Sequence, residues 1–241
     1  KNVQVGAWLF RWRSYLPLVF LFVLLVGLFD LDSNEFYTQN LSTWKLICLL
    51  TSALGLLIRG YAVGYAPAGT SGRVTEKQEA ETLNTTGVYS IIRNPLYVGN
   101  FFMMLGVVLF VGDWAISLIY VLVFWLYYER IILAEEDFLK QKFGELYMDY
   151  AKHTPAVIPN FKLWKSPNIT FSFKNVLKRE YSGLFGMVTT FTVLELLGNY
   201  VVLNRLEMSM FWVIFFFTGF ILYVSLRTLK KKTKILHVEG R

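Results

Sequence analysis

Six stretches of the chain stay apolar for close to the length of a bilayer crossing: residues 15–33, 44–66, 94–112, 113–133, 182–203 and 207–228. A crossing helix needs about 20 such residues, and polar segments separate the runs. The pattern therefore predicts an all-α polytopic transmembrane helix bundle of about six spans, the first of them an anchor that stays in place. Only Gly112-Asp113 divides the third run from the fourth, which makes those two a tight antiparallel hairpin. The fourth continues out of the membrane as a helix in residues 129–160, with Glu136 and Lys140 in supporting i,i+4 positions and Pro155 and Pro159 as its stop. Residues 67–93 begin as a Gly/Ser/Thr turn region and become a polar, threonine-rich link, while residues 161–181 are basic and aromatic and are expected along the lipid headgroups. The chain so divides into an N-terminal span with an outer loop (1–43), a core of three spans (44–160), and an interfacial linker with two accessory spans (161–241).

Basic residues give the bundle an orientation. Lys1, Arg11 and Arg13 precede the first run; Arg59, Arg73, Lys77 and Arg93 lie near or between the second and third. Nine more, from Arg130 to Arg179, fall between the fourth and fifth, and Arg227 to Lys234 follow the sixth. Lys45 and Arg205 are left for the opposite side. By the positive-inside rule both termini and both long loops are cytoplasmic. The composition agrees with a membrane protein: 55% of residues are apolar and 17% charged, against about 25% charged in soluble domains. The net charge of +7 suits anionic headgroups and gives no reason to invoke nucleic acid. One cysteine, Cys48, and two histidines, His153 and His237, exclude a disulfide framework and leave no metal site expected.

The chemistry concentrates at the mouth of the third run. Residues 87–99 read Gly-Val-Tyr-Ser-Ile-Ile-Arg-Asn-Pro-Leu-Tyr-Val-Gly. Pro95 disfavours helix at Asn94 and fits a first helical turn itself, so a helix N-terminus faces the loop side, where its free N–H groups suit a carboxylate. Tyr89 and Tyr97 offer ring faces to a heterocycle or to a cation, the latter worth roughly 0.5–2 kcal/mol. The same residues also fit an interfacial belt of aromatic and basic side chains. Glu135 and Glu136 sit where the fourth helix leaves the bilayer, as solvated carboxylates or as ligands. Arg59, beside Gly60 near the end of the second run, is placed to fork onto a phosphate or carboxylate or to snorkel to the headgroups, and Arg73 is a similar candidate on the loop. Glu195 and Asn199, one turn apart in the fifth run, are either functional or hydrogen-bonded between helices.

The string G-[VI]-Y-x-x-x-R-[HN]-P-x-Y-x-G, followed by Glu135-Glu136 and Phe143-Gly144-x-x-Tyr147-x-x-Tyr150, resembles the integral-membrane methyltransferases typified by isoprenylcysteine carboxyl methyltransferase and the phospholipid methyltransferases. The resemblance covers about residues 60–160 and implies S-adenosyl-L-methionine as cofactor. It maps Glu81, Thr82, Leu83 and Asn84 onto the short cofactor-binding stretch ahead of the motif, Tyr89 onto a cofactor tyrosine, Asn94, Pro95, Leu96 and Tyr97 onto the main cofactor segment with Arg93 beside it, and Glu135 onto the cofactor carboxylate. Histidine is usual in the family at the positions of Glu81 and Asn94. The family's substrate arginine aligns at Ile131, one residue from Arg130. Arg59, Arg73 and Arg130 are then expected to orient the acceptor.

An anionic oxygen needs no general base, whereas an amine protonated near pH 7 does; the motif holds no histidine, cysteine or lysine, which leaves Glu135 and Glu136, with Glu81 and Glu129 behind them, as carboxylate candidates for a base. The expected reaction is therefore methyl transfer to a phosphate or carboxylate oxygen of a lipid or lipidated substrate in the bilayer. The additional spans resemble the bacterial branch that methylates a lipid A phosphate, so a bacterial inner membrane is favoured over the endoplasmic reticulum. The alternatives are an amine N-methyltransferase acting on phospholipids, a transporter using Glu195, Asn199 and Arg59 as a polar path, and a non-catalytic lipid-binding scaffold.

Overall fold

The computed structural model describes residues 2–12, 24, 27, 41–67, 70, 80–238 and 240. Their helices are α1 (Asn2–Trp12), α2 (Leu41–Gly64), α3 (Val88–Ile91), α4 (Pro95–Leu109), α5 (Trp114–Phe143), α6 (Glu145–His153), α7 (Phe173–Leu203) and α8 (Met210–Lys232), with a 3-10 turn at Phe161–Leu163. The protein is all-α. Among the described residues four stretches are long and apolar enough to cross a membrane, Ser42–Gly64, Trp114–Phe143, Phe173–Val202 and Met210–Lys232, and they answer to the second, fourth, fifth and sixth apolar runs. The third run forms α4, whose 15 residues reach only about 22 Å at 1.5 Å per residue. The first run lies almost wholly outside the described residues.

The most extensive helix pairing joins α2 to α4, and glycine makes it possible. A Cβ on Gly55 would lie 2.4 Å from both the Gly99 carbonyl oxygen and the Met103 nitrogen, and one on Gly106 would lie 2.3 Å from the Cys48 carbonyl oxygen. With the backbones that close, Ser52 Oγ donates to the Met103 carbonyl at 2.6 Å and Trp44 Nε1 to the Leu109 carbonyl at 2.8 Å. The expected hairpin follows: Gly112 turns at φ 74°, and Asp113 caps α5 by accepting from the amides of Ala115 and Ile116 at 2.7 and 3.1 Å.

α5 has 30 residues, about 45 Å against a hydrocarbon core of about 30 Å, so its last turns stand clear with Glu135 and Glu136. It ends at Gly144, ahead of Pro155 rather than at it, because the backbone there takes φ 54°, ψ −127°, a region open to glycine. α1 lies along α5, with Gly6 against the Arg130 carbonyl and Tyr127 Oη donating to the Leu9 carbonyl at 3.2 Å.

α7 begins at Phe173, well before the apolar run at 182. Its first turns pack on α2: Asn175, fully buried, donates from Nδ2 to the Val63 carbonyl at 2.8 Å. The Ser172 amide donates to the Gly64 carbonyl at 2.9 Å, and the Phe171 ring covers Gly64. Residues 173–181 are therefore helix held against the end of α2. At the far end of the bundle Lys45 of α2 pairs with Glu195 of α7, the side chains 11% and 6% exposed. Asn199 Nδ2 donates to the Glu207 carbonyl at 2.8 Å. Leu50, Leu57, Leu122, Leu126, Phe217 and Ile221 stand exposed on α2, α5 and α8, an apolar perimeter that a bilayer covers.

Candidate functional site

Residues 87–97 cross the end of the bundle from which α5 protrudes, and they are held there by the returning chain. Gly87 adopts φ 61°, ψ −136°, which sets its amide to donate to the Lys165 carbonyl at 2.8 Å. Ser90 Oγ donates to the Gly87 carbonyl at 2.7 Å and accepts from the Lys165 amide at 2.9 Å. The Arg93 amide bonds to Pro155, the Asn94 amide to Ala156, and the Ile91 carbonyl accepts from Asn160. Tyr150 Oη donates to the Tyr89 carbonyl at 2.7 Å. Motif and returning segment thus form one tied layer.

Arg93 is the main tie. Its Nε and Nη2 lie 2.9 and 2.8 Å from Oε1 of Glu136, and Nη1 donates to the carbonyls of Ala151 and Thr154. Those carbonyls belong to the C-terminal turn and cap of α6, where a cation also meets the negative end of the helix. Asn94 braces the layer as well, its Nδ2 donating to the Ala156 carbonyl at 3.1 Å, and its own carbonyl receives the amides of Tyr97 and Val98 at the start of α4. Pro95 occupies the first helical position, as its lack of an N–H allows.

Beneath this layer runs a polar chain. Arg59 of α2 donates from Nε and Nη2 to the two carboxylate oxygens of Glu180 at 2.8 and 2.9 Å, and from Nη1 to Asn100 Oδ1 at 2.6 Å. Asn100 Nδ2 reaches Tyr128 Oη at 3.3 Å. The Tyr97 ring leans on Tyr128 with centroids 4.8 Å apart. The last glycine of the motif makes room for this chain, since a Cβ on Gly99 would lie 2.4 Å from Arg59 Cγ. Glu180 is 4% exposed, so the fork is a desolvated pair of fixed geometry.

Tyr89 faces the charges from above. Burial pushes its phenol up to about 12, Glu135 adds to the rise, and Arg179 and Arg59 pull against it. Tyr147, buried under the same layer, is raised by burial and then by Glu136, with Arg93 opposing. In the stretch ahead of the motif Glu81 and Thr82 are exposed and Leu83 and Asn84 half-buried. Asn84 Nδ2 is itself a buried donor without a hydrogen-bond partner among the described residues.

The expected set is thereby partly gathered. Glu135 and Arg59 act electrostatically on the Tyr89 phenol; Asn94 and Arg93 belong to the tied layer and Tyr97 to the chain beside it. Arg130 is half-buried on α5 with α1 against its backbone, and Ile131, where the resemblance aligns the substrate arginine, is fully buried in the core. Arg73 lies outside the described residues. Glu180, Asn100, Tyr128 and Arg179 were not foreseen as site residues; an amide at 100 inside an apolar run and an Arg-Glu pair at the head of another were the available signals. An open cavity of about 740 Å³ lies on the other side of Arg93, lined by Lys152, Thr154, Ile158 and Phe161, away from Tyr89 and Glu135. Among the described residues no group of three or more His, Cys, Asp or Glu is placed to hold a metal ion.

Residues 44–146 match the model of the phospholipid methyltransferase family. The chain is 36% identical over 115 residues to protein-S-isoprenylcysteine O-methyltransferase of Schizosaccharomyces pombe, covering 45% of this chain and 49% of that protein. It is 33% identical over 138 residues to the mouse protein of the same name, covering 53% and 48%. It is also 34% identical over 131 residues to the nickel-cobalt-cadmium resistance protein NccN of Alcaligenes xylosoxydans xylosoxydans, covering 54% and 59%. The chain thus spans about half the length of the curated relatives it matches. No solved structure matches it significantly.

Proposed function

We propose that this integral membrane protein belongs to the phospholipid methyltransferase family and transfers a methyl group from S-adenosyl-L-methionine to an anionic oxygen of a membrane-embedded lipid or lipidated substrate. The observation that carries the reading is the tied motif layer together with the buried Arg59–Glu180–Asn100 chain, whose Arg59 acts electrostatically on the Tyr89 phenol along with Arg179 and Glu135. The cofactor residues fit on their own chemistry: Asn84 presents an unpartnered buried donor, Tyr89 and Tyr97 present ring faces, and Glu135 suits an ammonium group. When bound, the cofactor supplies an electrophilic methyl on a sulfonium, from which an acceptor oxygen takes the carbon while the S–C bond electrons stay on sulfur.

Charge balance supports an anionic acceptor. Arg59 and Arg179 balance Glu180 and Glu135, the donor adds one net positive charge, and a monoanionic acceptor brings the site to zero. A zwitterionic phospholipid bearing a protonated amine would leave the donor's positive charge uncompensated in a low-dielectric site and would also need a base to free the amine. The isoprenylcysteine relatives are named for O-methylation, in keeping with an oxygen acceptor. Arg59 and Arg179 orient the anionic group, and the apolar perimeter leaves the hydrophobic body in lipid. Arg93 and Asn94 act as positioning residues, since their polar groups are spent on holding the motif layer. Arg73 and Arg130 stay candidates for the acceptor's approach.

The positive-inside asymmetry of the basic residues supports a cytoplasmic setting for this end of the bundle, where the methyl donor is soluble, and a bacterial inner membrane is the setting we favour. Glu195, which a transport path would use, is accounted for by Lys45. Incubation of the purified protein with methyl-labelled S-adenosyl-L-methionine and a total lipid extract tests the function. Label is expected in an alkali-labile methyl ester or in a phosphate methyl ester; label in an alkali-stable methylamine, or none, refutes it.

A further inference from the structure

The strongest unexplained feature lies outside the family-matched segment. Glu180 belongs to α7, the first helix of the C-terminal unit, yet its side chain is only 6% exposed and both oxygens are spent on Arg59 of α2. An arginine has five N–H donors in a planar fork. Glu180 takes two and Asn100 a third, so the remaining two have no partner among the described residues. A side-on carboxylate fixes the rotation of the guanidinium plane, and the Asn100 bond fixes its tilt, so the two spare donors have a set direction. Gly183 adds room beside the fork, for a Cβ there would stand 3.6 Å from Glu180 Oε2.

We propose that Glu180 is a positioning residue for the acceptor: it orients Arg59 so that the two unspent N–H groups receive the anionic oxygens of the lipid, making α7 part of the acceptor site. Arg179, the preceding residue, acts electrostatically on the Tyr89 phenol, so one short piece of α7 contributes both a second cation and the carboxylate that holds the first. An isolated Arg59 on a mobile stem would snorkel; the pair with Glu180 keeps it beneath the motif. The C-terminal unit then sets acceptor specificity for a cofactor site built elsewhere. This rests on the methyltransferase reading above.

The test uses the full-length protein in mixed micelles with labelled S-adenosyl-L-methionine and a total lipid extract at increasing mole fraction, alongside calorimetric titration with S-adenosylhomocysteine. Glu180→Gln keeps the shape but turns one accepting oxygen into a donor facing Arg59. It should raise the apparent KM for lipid about tenfold with kcat changed less than threefold and S-adenosylhomocysteine affinity unchanged. Asn100→Leu, which leaves α7 untouched, should move KM the same way. Arg59→Gln should cost about 100-fold in kcat/KM, and the double variant Arg59→Gln/Glu180→Gln should match Arg59→Gln alone, because Glu180 acts only through Arg59. Additive losses, an unchanged lipid KM in Glu180→Gln, or loss of S-adenosylhomocysteine binding in step with activity overturn the proposal while leaving the methyltransferase standing. A wild-type protein that labels no lipid removes both.

Discussion

Arg93 and Glu136, 43 positions apart in sequence, meet through Nε and Nη2 at 2.9 and 2.8 Å from a single carboxylate oxygen. The contact fixes more than the pair. Successive residues on a helix point about 100° apart, so with Glu136 committed to Arg93, Glu135 is turned to another face, the one from which it acts on the Tyr89 phenol. Two adjacent glutamates that look interchangeable in sequence are thereby given separate tasks.

The first prediction concerns that division of labour. Calorimetric titration with S-adenosylhomocysteine should show at least tenfold weaker binding in Glu135→Ala and in Tyr97→Ala. Glu136→Gln should bind within about threefold of wild type wherever it stays folded. Equal effects at both glutamates would mean that the carboxylates share one role.

Arg93 should be a stability residue. Arg93→Met leaves the Glu136 carboxylate and two carbonyls without their donor, at a cost of about 2–3 kcal/mol given that both side chains keep some solvent access. Thermal unfolding in detergent reads this as a clear fall in midpoint, with a smaller fall for Arg93→Lys, whose point charge cannot fork. A midpoint unchanged in Arg93→Met would show that the layer is held by its backbone bonds alone.

At the far end, Lys45→Met strands Glu195 in an apolar setting and should destabilise by about 3 kcal/mol. Adding Glu195→Leu should recover most of that loss, since an apolar pair of similar volume replaces the ion pair. Both variants should retain S-adenosylhomocysteine affinity. If either single change at this end abolishes binding while the protein stays folded, the pair is more than a tether between α2 and α7.

Protonation at the site should be silent through neutral pH. The Tyr89 phenol is raised from 10.0 to about 12, so between those values the unfolded chain releases a proton that the folded one keeps. Stability from this group is present below pH 10 and is lost as pH rises toward 12. Difference absorbance of phenolate should show a class of tyrosines titrating above pH 11 that loses one member in Tyr89→Phe. S-adenosylhomocysteine affinity should show no tyrosine-linked step from pH 7 to 9.5; a step there would place an ionisable phenol in the site.

Much of the fold was legible because a bilayer imposes length and apolarity on each crossing helix independently of its neighbours. The runs at 44–66, 113–133, 182–203 and 207–228 are helices of crossing length, and the Gly112-Asp113 turn is capped as its residue types imply. Boundaries were less legible. α7 extends back to Phe173 because Asn175 and Phe171 find partners on α2, and α5 stops at Gly144 because glycine alone relieves that backbone. Neither cause has a signature in local apolarity.

The sequence by itself determined the membrane class, the helical content and the place of the motif, since hydrophobic length, proline and glycine act through the local chain. Only the tertiary structure decided which charge serves which. Arg93 is claimed by Glu136 and the end of α6; Arg59 is claimed by Glu180, 121 positions away; Glu195 is claimed by Lys45. A buried charge must find a counter-charge wherever the fold brings one, and that partner is set by how helices cross, not by spacing along the chain.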